Sequence, residues 1–307
     1  MGRYVIRRLL QMIPVVIAVT ALIHVMVWAL PGDPFAGRCG DRPCPPSYIA
    51  EMSARFNLND PWPVQYLKYL GNLFTGDFGS SFRGEAVIDA LARAYPVTLK
   101  LTLMAIAIEI LIGITAGILA GLRKGGFVDN LVLVSTLFVI SIPVFVIGST
   151  LQLFLGMRLG WFPPTVQDNT VHELLLPAFV LASGSLAYVS RLMRTNLVEN
   201  LRADYVRTAT AKGMPRRRVV GVHTLRNSLI SVLTFIGFDL GALMGGAIVT
   251  EGIFNINGVG GLIFRSIANR DGAMVVGAVS VLVLVFLFVN LLVDLLYGAL
   301  DPRIRYD

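Results

Sequence analysis

Charge is scarce in this 307-residue sequence: Asp, Glu, Lys and Arg supply 15% of it, against 55% apolar residues. Histidine occurs three times, at His24, His172 and His223, and cysteine twice, at Cys39 and Cys44. The histidines are scattered and none neighbours the cysteines, so no metal site is expected. No G-x-x-x-x-G-K-[ST] loop is present, which excludes ATP hydrolysis in this chain by that route. G-x-S-x-G and H-E-x-x-H are absent too, leaving no constellation to carry an enzyme's chemistry. Acids inside the apolar runs are too sparse for the proton relay of a pump.

The apolar residues come in long runs. A bilayer core about 30 Å thick needs roughly 20 apolar residues of helix, and six stretches approach or exceed that: 9–30, 99–122, 131–155, 174–188, 229–249 and 274–300. The fourth is short and carries Pro177 near its start. None alternates as a membrane β-strand does. The expected fold class is an all-α polytopic membrane protein with six transmembrane helices, in contact with membrane lipid.

Lys and Arg in the connecting segments set the orientation. Arg3, Arg7 and Arg8 precede the first run, Arg123 and Lys124 follow the second, and Arg303 and Arg305 follow the sixth. Between the fourth and fifth, residues 191–226 hold nine basic residues against Glu199 and Asp204. From 31 to 100, by contrast, seven basic residues meet seven acidic ones. Both termini are therefore expected in the cytoplasm. The first run exceeds twenty residues and no A-x-A site follows it, so a retained helix is expected, not a cleaved signal. The organisation reads as 1–30, N-terminus and first span; 31–98, a large outer loop; 99–300, the remaining five spans; and 301–307, a cytoplasmic tail. The net charge of +7 follows from this topology and does not call for nucleic acid as a partner.

Cys39 and Cys44, in CGDRPC on the outer side, suit a disulfide, with two free thiols as the alternative. Gly113, Gly117 and Gly121, and again Gly237, Gly241 and Gly245, recur at four-residue spacing. Each series lines one helix face and admits a close neighbour, within the chain or across a dimer. Pro14 and Pro143 should loosen their helices. The few acids in or beside the runs are Glu109, Asp239, Asp294 and Glu251. A pathway or gate is the functional reading for Glu109, Asp239 and Glu251, and helix packing is the alternative; for Asp294 packing is preferred.

Residues 205–227 read YVRTATAKGMPRRRVVGVHTLRN. Across 196–212 the positions Leu197, Leu201, Tyr205, Thr208 and Ala209 fall at helical spacing. Gly213 is a natural helix stop, with Lys212 in the last turn. Pro215 suits the first turn of a second helix bearing Arg216, Arg217 and Arg218. The spacing predicts a compact cationic hairpin on the cytoplasmic face, within a loop spanning 193–227.

This stretch resembles the cytoplasmic loop of ABC-importer permease subunits, where a short coupling helix and a glycine dock into a cleft on the ATPase. An aromatic followed by R-T-A-x-A-K-G and then H-x-L-R-N is similar to the dipeptide/oligopeptide/nickel branch. RYVIRRLLQMIPVV, PGDPF, FNLNDPWPVQYLKYL, GDFGSSF and LDPRIRYD extend the resemblance along the whole chain, to that branch's "B" permease. Thr210 stands where the family often has a third basic residue, and Asn257 where the outer E-x-I-F-x-x-P-G-x-G segment has proline. CGDRPC looks like a local elaboration.

The resemblance implies a type I ABC importer permease fold in a bacterial plasma membrane. It implies a second homologous permease, two ATPase subunits or domains, and an extracytoplasmic substrate-binding protein as partners. ATP and Mg would be bound by the ATPases, leaving no cofactor in this chain. The expected coupling residues are Tyr205, Arg207, Thr208, Ala209, Lys212, Gly213, Met214, Pro215 and Arg216. An outer segment, 251–273, offers a plug or binding-protein contact through Phe254, Asn255, Asn257, Gly258, Gly260, Arg265 and Arg270, with a plain connecting turn as the alternative. Peptides are the first expected cargo, and nickel, haem or glutathione the alternatives within the class. A self-contained secondary transporter or channel is the alternative from another class.

Overall fold

A computed structural model describes residues 2–29, 35, 39, 44–244 and 247–300. The expected tail 301–307 and Gly245 lie outside the described residues. Helix α1 (Gly2–His24) continues through Pro14 and ends in a π-helical turn. Two outer helices follow, α2 (Pro46–Arg55) and α3 (Trp62–Phe74). Then come α4 (Val87–Ile108), α5 (Thr115–Leu122), α6 (Phe127–Ser141), α7 (Val144–Leu151) and α8 (Val171–Asn200). The short α9 (Asp204–Ala211) and one-turn α10 (Arg216–Arg218) lead into α11 (Leu225–Met244). The outer α12 (Ile248–Ile253) and α13 (Val259–Ala268) precede the last span, α14 (Gly272–Leu300).

Five continuous helices among these are long and apolar enough to cross a membrane, and a bent pair makes a sixth. The bend is 98°, between Phe127–Ser141 and Val144–Arg158. Pro143 breaks this span instead of loosening it. Ile142 before it is extended, the conformation a following proline ring imposes, and α7 restarts immediately after.

Helix boundaries differ from the apolar runs. The second span begins at Val87, twelve residues ahead of the run at 99, so the segment assigned to the outer loop ends in helix. The fourth, read as 174–188, is a 30-residue helix. Thr170 caps it: its hydroxyl accepts from the Glu173 N–H, and Glu173 reaches back to the Thr170 N–H. Its polar end hid its length, because Arg191 and Arg194 interrupt the hydropathy without interrupting the helix.

Helix α8 is the axis of the bundle. One apolar core joins its outer half, through Leu174, Ala178 and Val180, to Leu101, Phe254 and Ile256. A second joins its inner half, through Val189, Met193 and Leu197, to Ile106, Val232 and Ile236. The stripe of Gly113, Gly117 and Gly121 packs on this inner half. A Cβ on Gly117 would lie 2.6 Å from both Met193 Cβ and the Ser190 carbonyl oxygen. The first glycine series therefore makes a contact within the chain, closer than any side chain would allow. Gly241, of the second series, meets the Asn290 side chain of α14.

Polar ties hold the ends. Asp129, buried at the start of α6, takes both Nε and Nη2 of Arg194 (2.5 and 2.8 Å) and the Gly125 N–H. Asp294 pairs with Arg8 at 3.0 Å, as the packing reading of Asp294 requires. Outside, the Tyr66 hydroxyl donates to the Ile17 carbonyl and the Tyr69 hydroxyl to Ser280 Oγ, fastening α3 to α1 and α14. Cys39 and Cys44 are joined by a disulfide with Cα atoms 5.2 Å apart.

If the α5–α8 contact is set by glycine, Gly117→Val should lower stability by about 1–3 kcal/mol through overpacking. Gly184→Ala, where nothing lies within 4 Å, should be neutral or slightly stabilising, within about 1 kcal/mol. Thermal unfolding of both variants in detergent checks the contrast.

Candidate functional site

The hairpin forms where the basic stretch predicted it, but its first arm is shorter. Instead of one helix over 196–212, α8 ends at Asn200 and α9 begins at Asp204, with a turn between them closed by Arg202 N–H to Glu199 O and Ala203 N–H to Asn200 O. The physical reason is that the apolar positions serve two cores. Leu197 and Leu201 face the membrane bundle, whereas Val206 and Ala209 face Val219 and Met214 across the hairpin.

The end of α9 is a Schellman turn. The Gly213 N–H donates to Thr210 O (2.9 Å) and the Met214 N–H to Ala209 O (3.3 Å). Gly213 sits at φ +75°, where a side chain would be strained, and Met214 packs back on the small core of Val206, Ala209 and Val219. Pro215 then precedes the short α10.

Of the expected coupling residues, Tyr205, Arg207, Thr208, Lys212, Gly213, Pro215 and Arg216 are exposed, and Met214 is half-buried. Ala209 is a correction: it is buried and belongs to the inner contact of the hairpin, since helical spacing places it on the face of Val206. The Tyr205 hydroxyl donates to Asn200 Oδ1 (2.7 Å), tying the hairpin to the end of α8. Arg207 and Asp204 meet at 3.5 Å but are largely solvated, so this pair contributes little.

The acids divide into two groups. Glu109, directly after α4 and fully buried, and Asp239 of α11, nearly so, face each other, with Ser185 of α8 beside Asp239. Apart from the two carboxyls themselves, no N–H or O–H of the described residues reaches either Glu109 oxygen or Asp239 Oδ2. Glu109 also opens a π-helical segment, Glu109–Ile114, a local widening frequent at functional positions.

Glu251 behaves differently. It is fully buried, accepts from Thr98 Oγ1 (2.9 Å) and the Gly261 N–H (2.8 Å), and so holds the N-terminus of α13. Thr98 Oγ1 in turn accepts the Val259 N–H (2.8 Å). Burial pushes the Glu251 carboxyl up from its ordinary value, and the Gly261 and Thr98 hydrogen bonds hold it back. This is a knot joining α4, α12 and α13. Gly258 is required there, because a Cβ would fall 2.3 Å from Glu251 Oε2.

The remaining outer candidates also divide. Asn255, Asn257 and Arg270 are exposed, Arg265 is half-buried and donates to Ile256 O, and Phe254, Gly258 and Gly260 are buried. Phe254 is a correction: as one of the largest wholly buried side chains it packs in the outer core and presents no surface to a partner. It comes from a motif resemblance, but the loop 159–166 that follows the α7 span folds back over it, with the Val166 N–H donating to Phe254 O (3.0 Å). Two residues of this site escaped notice in the sequence. Gln152 donates from one amide to both Pro164 O and Ile253 O, and Thr98 completes the Glu251 knot; single polar residues in apolar runs carry no local signal.

Two family models cover the chain. Residues 113–306 match the binding-protein-dependent transport system inner membrane component, and residues 1–102 the N-terminal portion of such a membrane component. The chain belongs to this family. Similar relatives include a dipeptide transport system permease protein of Alkalihalophilus pseudofirmus, 34% identical over 99% of both chains. A di/tripeptide transport system permease protein of Pseudomonas aeruginosa is 36% identical over 99% of both. An oligopeptide transport system permease protein of Bacillus subtilis is 36% identical over the full length of both. The fold is that of a type I ABC importer permease, an integral membrane protein, and the hairpin and the Glu251 knot lie within the residues matched.

Removing the Glu251 acceptor strands the donors of α13 and Thr98. Glu251→Ala should cost about 1–3 kcal/mol, and Glu251→Gln, which keeps a carbonyl acceptor, distinctly less. Thermal unfolding of the two variants in detergent separates the knot from a solvated pathway acid, for which both would be near neutral.

Proposed function

We propose that this chain is the permease subunit of an ATP-driven, binding-protein-dependent importer of di- or oligopeptides. The observation that carries the reading is the hairpin, with its Schellman turn at Gly213 and an exposed cationic face, in a chain whose full-length relatives are named as peptide transport permeases. Such a hairpin has no use in lipid; it is shaped for a protein cleft. In this reading Tyr205, Arg207, Thr208, Lys212, Gly213, Pro215 and Arg216 meet an ATPase subunit, which binds ATP and Mg. A second permease completes the pathway, and an extracytoplasmic binding protein delivers cargo to Asn255, Asn257 and Arg270. The termini lie in the cytoplasm of a bacterium, by the distribution of Lys and Arg.

Movement at the hairpin reaches the bundle through α8, since Tyr205 is bonded to Asn200 and the inner half of α8 is packed against the α5 glycines. Alternating access follows if rigid helices rock about this axis. The facing Glu109 and Asp239 sit where α4 and α11 would separate, which fits a gate.

Gly213→Val forces a β-branched residue into a left-handed turn, at a cost of about 1–2 kcal/mol. In a reconstituted assembly of both permeases, both ATPases and the binding protein, the variant should retain basal ATP hydrolysis while peptide uptake falls at least tenfold. Uptake at the wild-type rate would refute the role of the turn. Uptake by the chain alone, without ATPase, would favour a self-contained transporter.

A further inference from the structure

The outer face carries a cavity that the importer reading leaves unused. It has a volume of about 370 Å³ and lies between the outer end of α1, the helices α2 and α3, and the start of α14. That volume is within the range of small-molecule sites. Its lining is mixed: Arg55, Asp77, Asn72, Gln65, Tyr69 and His24 contribute polar groups, over aromatic walls.

Three features make it a built site. First, both signs of charge line one chamber. Arg55 is held over the Phe56 ring and donates to Ser80 Oγ (2.7 Å); Asp77 is oriented by accepting the Gly79 N–H on Oδ1 (2.9 Å). Second, His24 is 3% exposed, yet neither ring nitrogen has a partner at hydrogen-bond geometry, although Gln65 is beside it. A buried ring left in this state costs free energy unless something completes it. Third, the walls are rigid. His24 stacks on Tyr69, and the Tyr69 hydroxyl is committed to Ser280 and pushed up to about 12 by burial, so it stays a neutral donor.

We propose that this cavity binds a short zwitterionic peptide, its carboxylate on Arg55 and its ammonium on Asp77, with the amides of Asn72 and Gln65 and the His24 ring reading the peptide bond. A guanidinium suits a carboxylate through paired N–H donors, and a carboxylate suits a primary ammonium. A ligand with only one charged end would leave one of the two ions unanswered, and an uncharged one would leave both. The ligand class rests on the peptide-importer reading; the place does not, because it lies on the outer helices, away from Glu109 and Asp239.

The test is calorimetric titration of the full chain in lipid nanodiscs, without binding protein, using dialanine, N-acetyl-dialanine and dialanine amide. Dialanine should bind saturably and each blocked form at least tenfold more weakly. Asp77→Asn, whose amide oxygen can still accept the Gly79 N–H, should erase the preference for a free amine. Arg55→Gln should erase the preference for a free carboxylate. Asp60→Asn, in a surface pair with Lys68 outside the cavity, should change neither, and melting curves confirm that all three variants are folded. Absence of saturable binding, equal binding of blocked and free peptides, or binding indifferent to both variants would each overturn the proposal. The importer reading stands or falls separately, on ATP-dependent dialanine uptake by the wild-type assembly: uptake without binding here removes only this site, and binding here without uptake removes only that reading.

Discussion

Much of this structure depends on how closely α5 approaches α8. Within a bilayer, burial of apolar surface gives helices no reason to prefer each other over lipid tails, so association rests on close contact and on polar ties. Gly113, Gly117 and Gly121 remove three side chains from one face and let the α8 backbone in, to a point where even a methyl group would collide. With α8 so placed, its outer half meets Leu101 and Phe254, its inner half meets Ile106 and Val232, and Arg194 comes within reach of the buried Asp129. The two apolar cores and the ionic tie are arranged along one helix.

That arrangement gives the basic hairpin a mechanical connection. The hairpin has its own small core, Val206, Ala209 and Val219 with Met214. Tyr205 bonds it to the last residue of α8. At the opposite end, the Glu251 knot joins the start of α13 to α4 through Thr98. Between the two, Glu109 and Asp239 face each other without donors from other described residues reaching Glu109 or Asp239 Oδ2. In this reading a lever at the inner face and a knot at the outer face enclose one polar weakness between α4 and α11, where a bundle that must rock would part.

Much of the fold was legible in the sequence because its signals are local. Helices in lipid satisfy their own backbone groups, so apolar length alone marks a span. The Gly213 stop and the Pro215 restart were readable for the same reason, since each acts through its own backbone angles. Boundaries were less legible: Arg191 and Arg194 hid the length of α8, and the turn at 201–203 was invisible because the apolar spacing runs on through it while the two sides bury in different places.

The sequence by itself determined the solvent, the class, the spans and the position of the hairpin, because each follows from residues within one or two turns of each other. Tertiary structure alone decided which polar residues are spent inside the protein. Ala209 and Phe254, read as surface, are core; Glu251, read as a gate, holds a helix terminus; and Glu109 and Asp239, 130 residues apart in the numbering, are neighbours. A carboxylate's role depends on what faces it, and what faces it here comes from other helices.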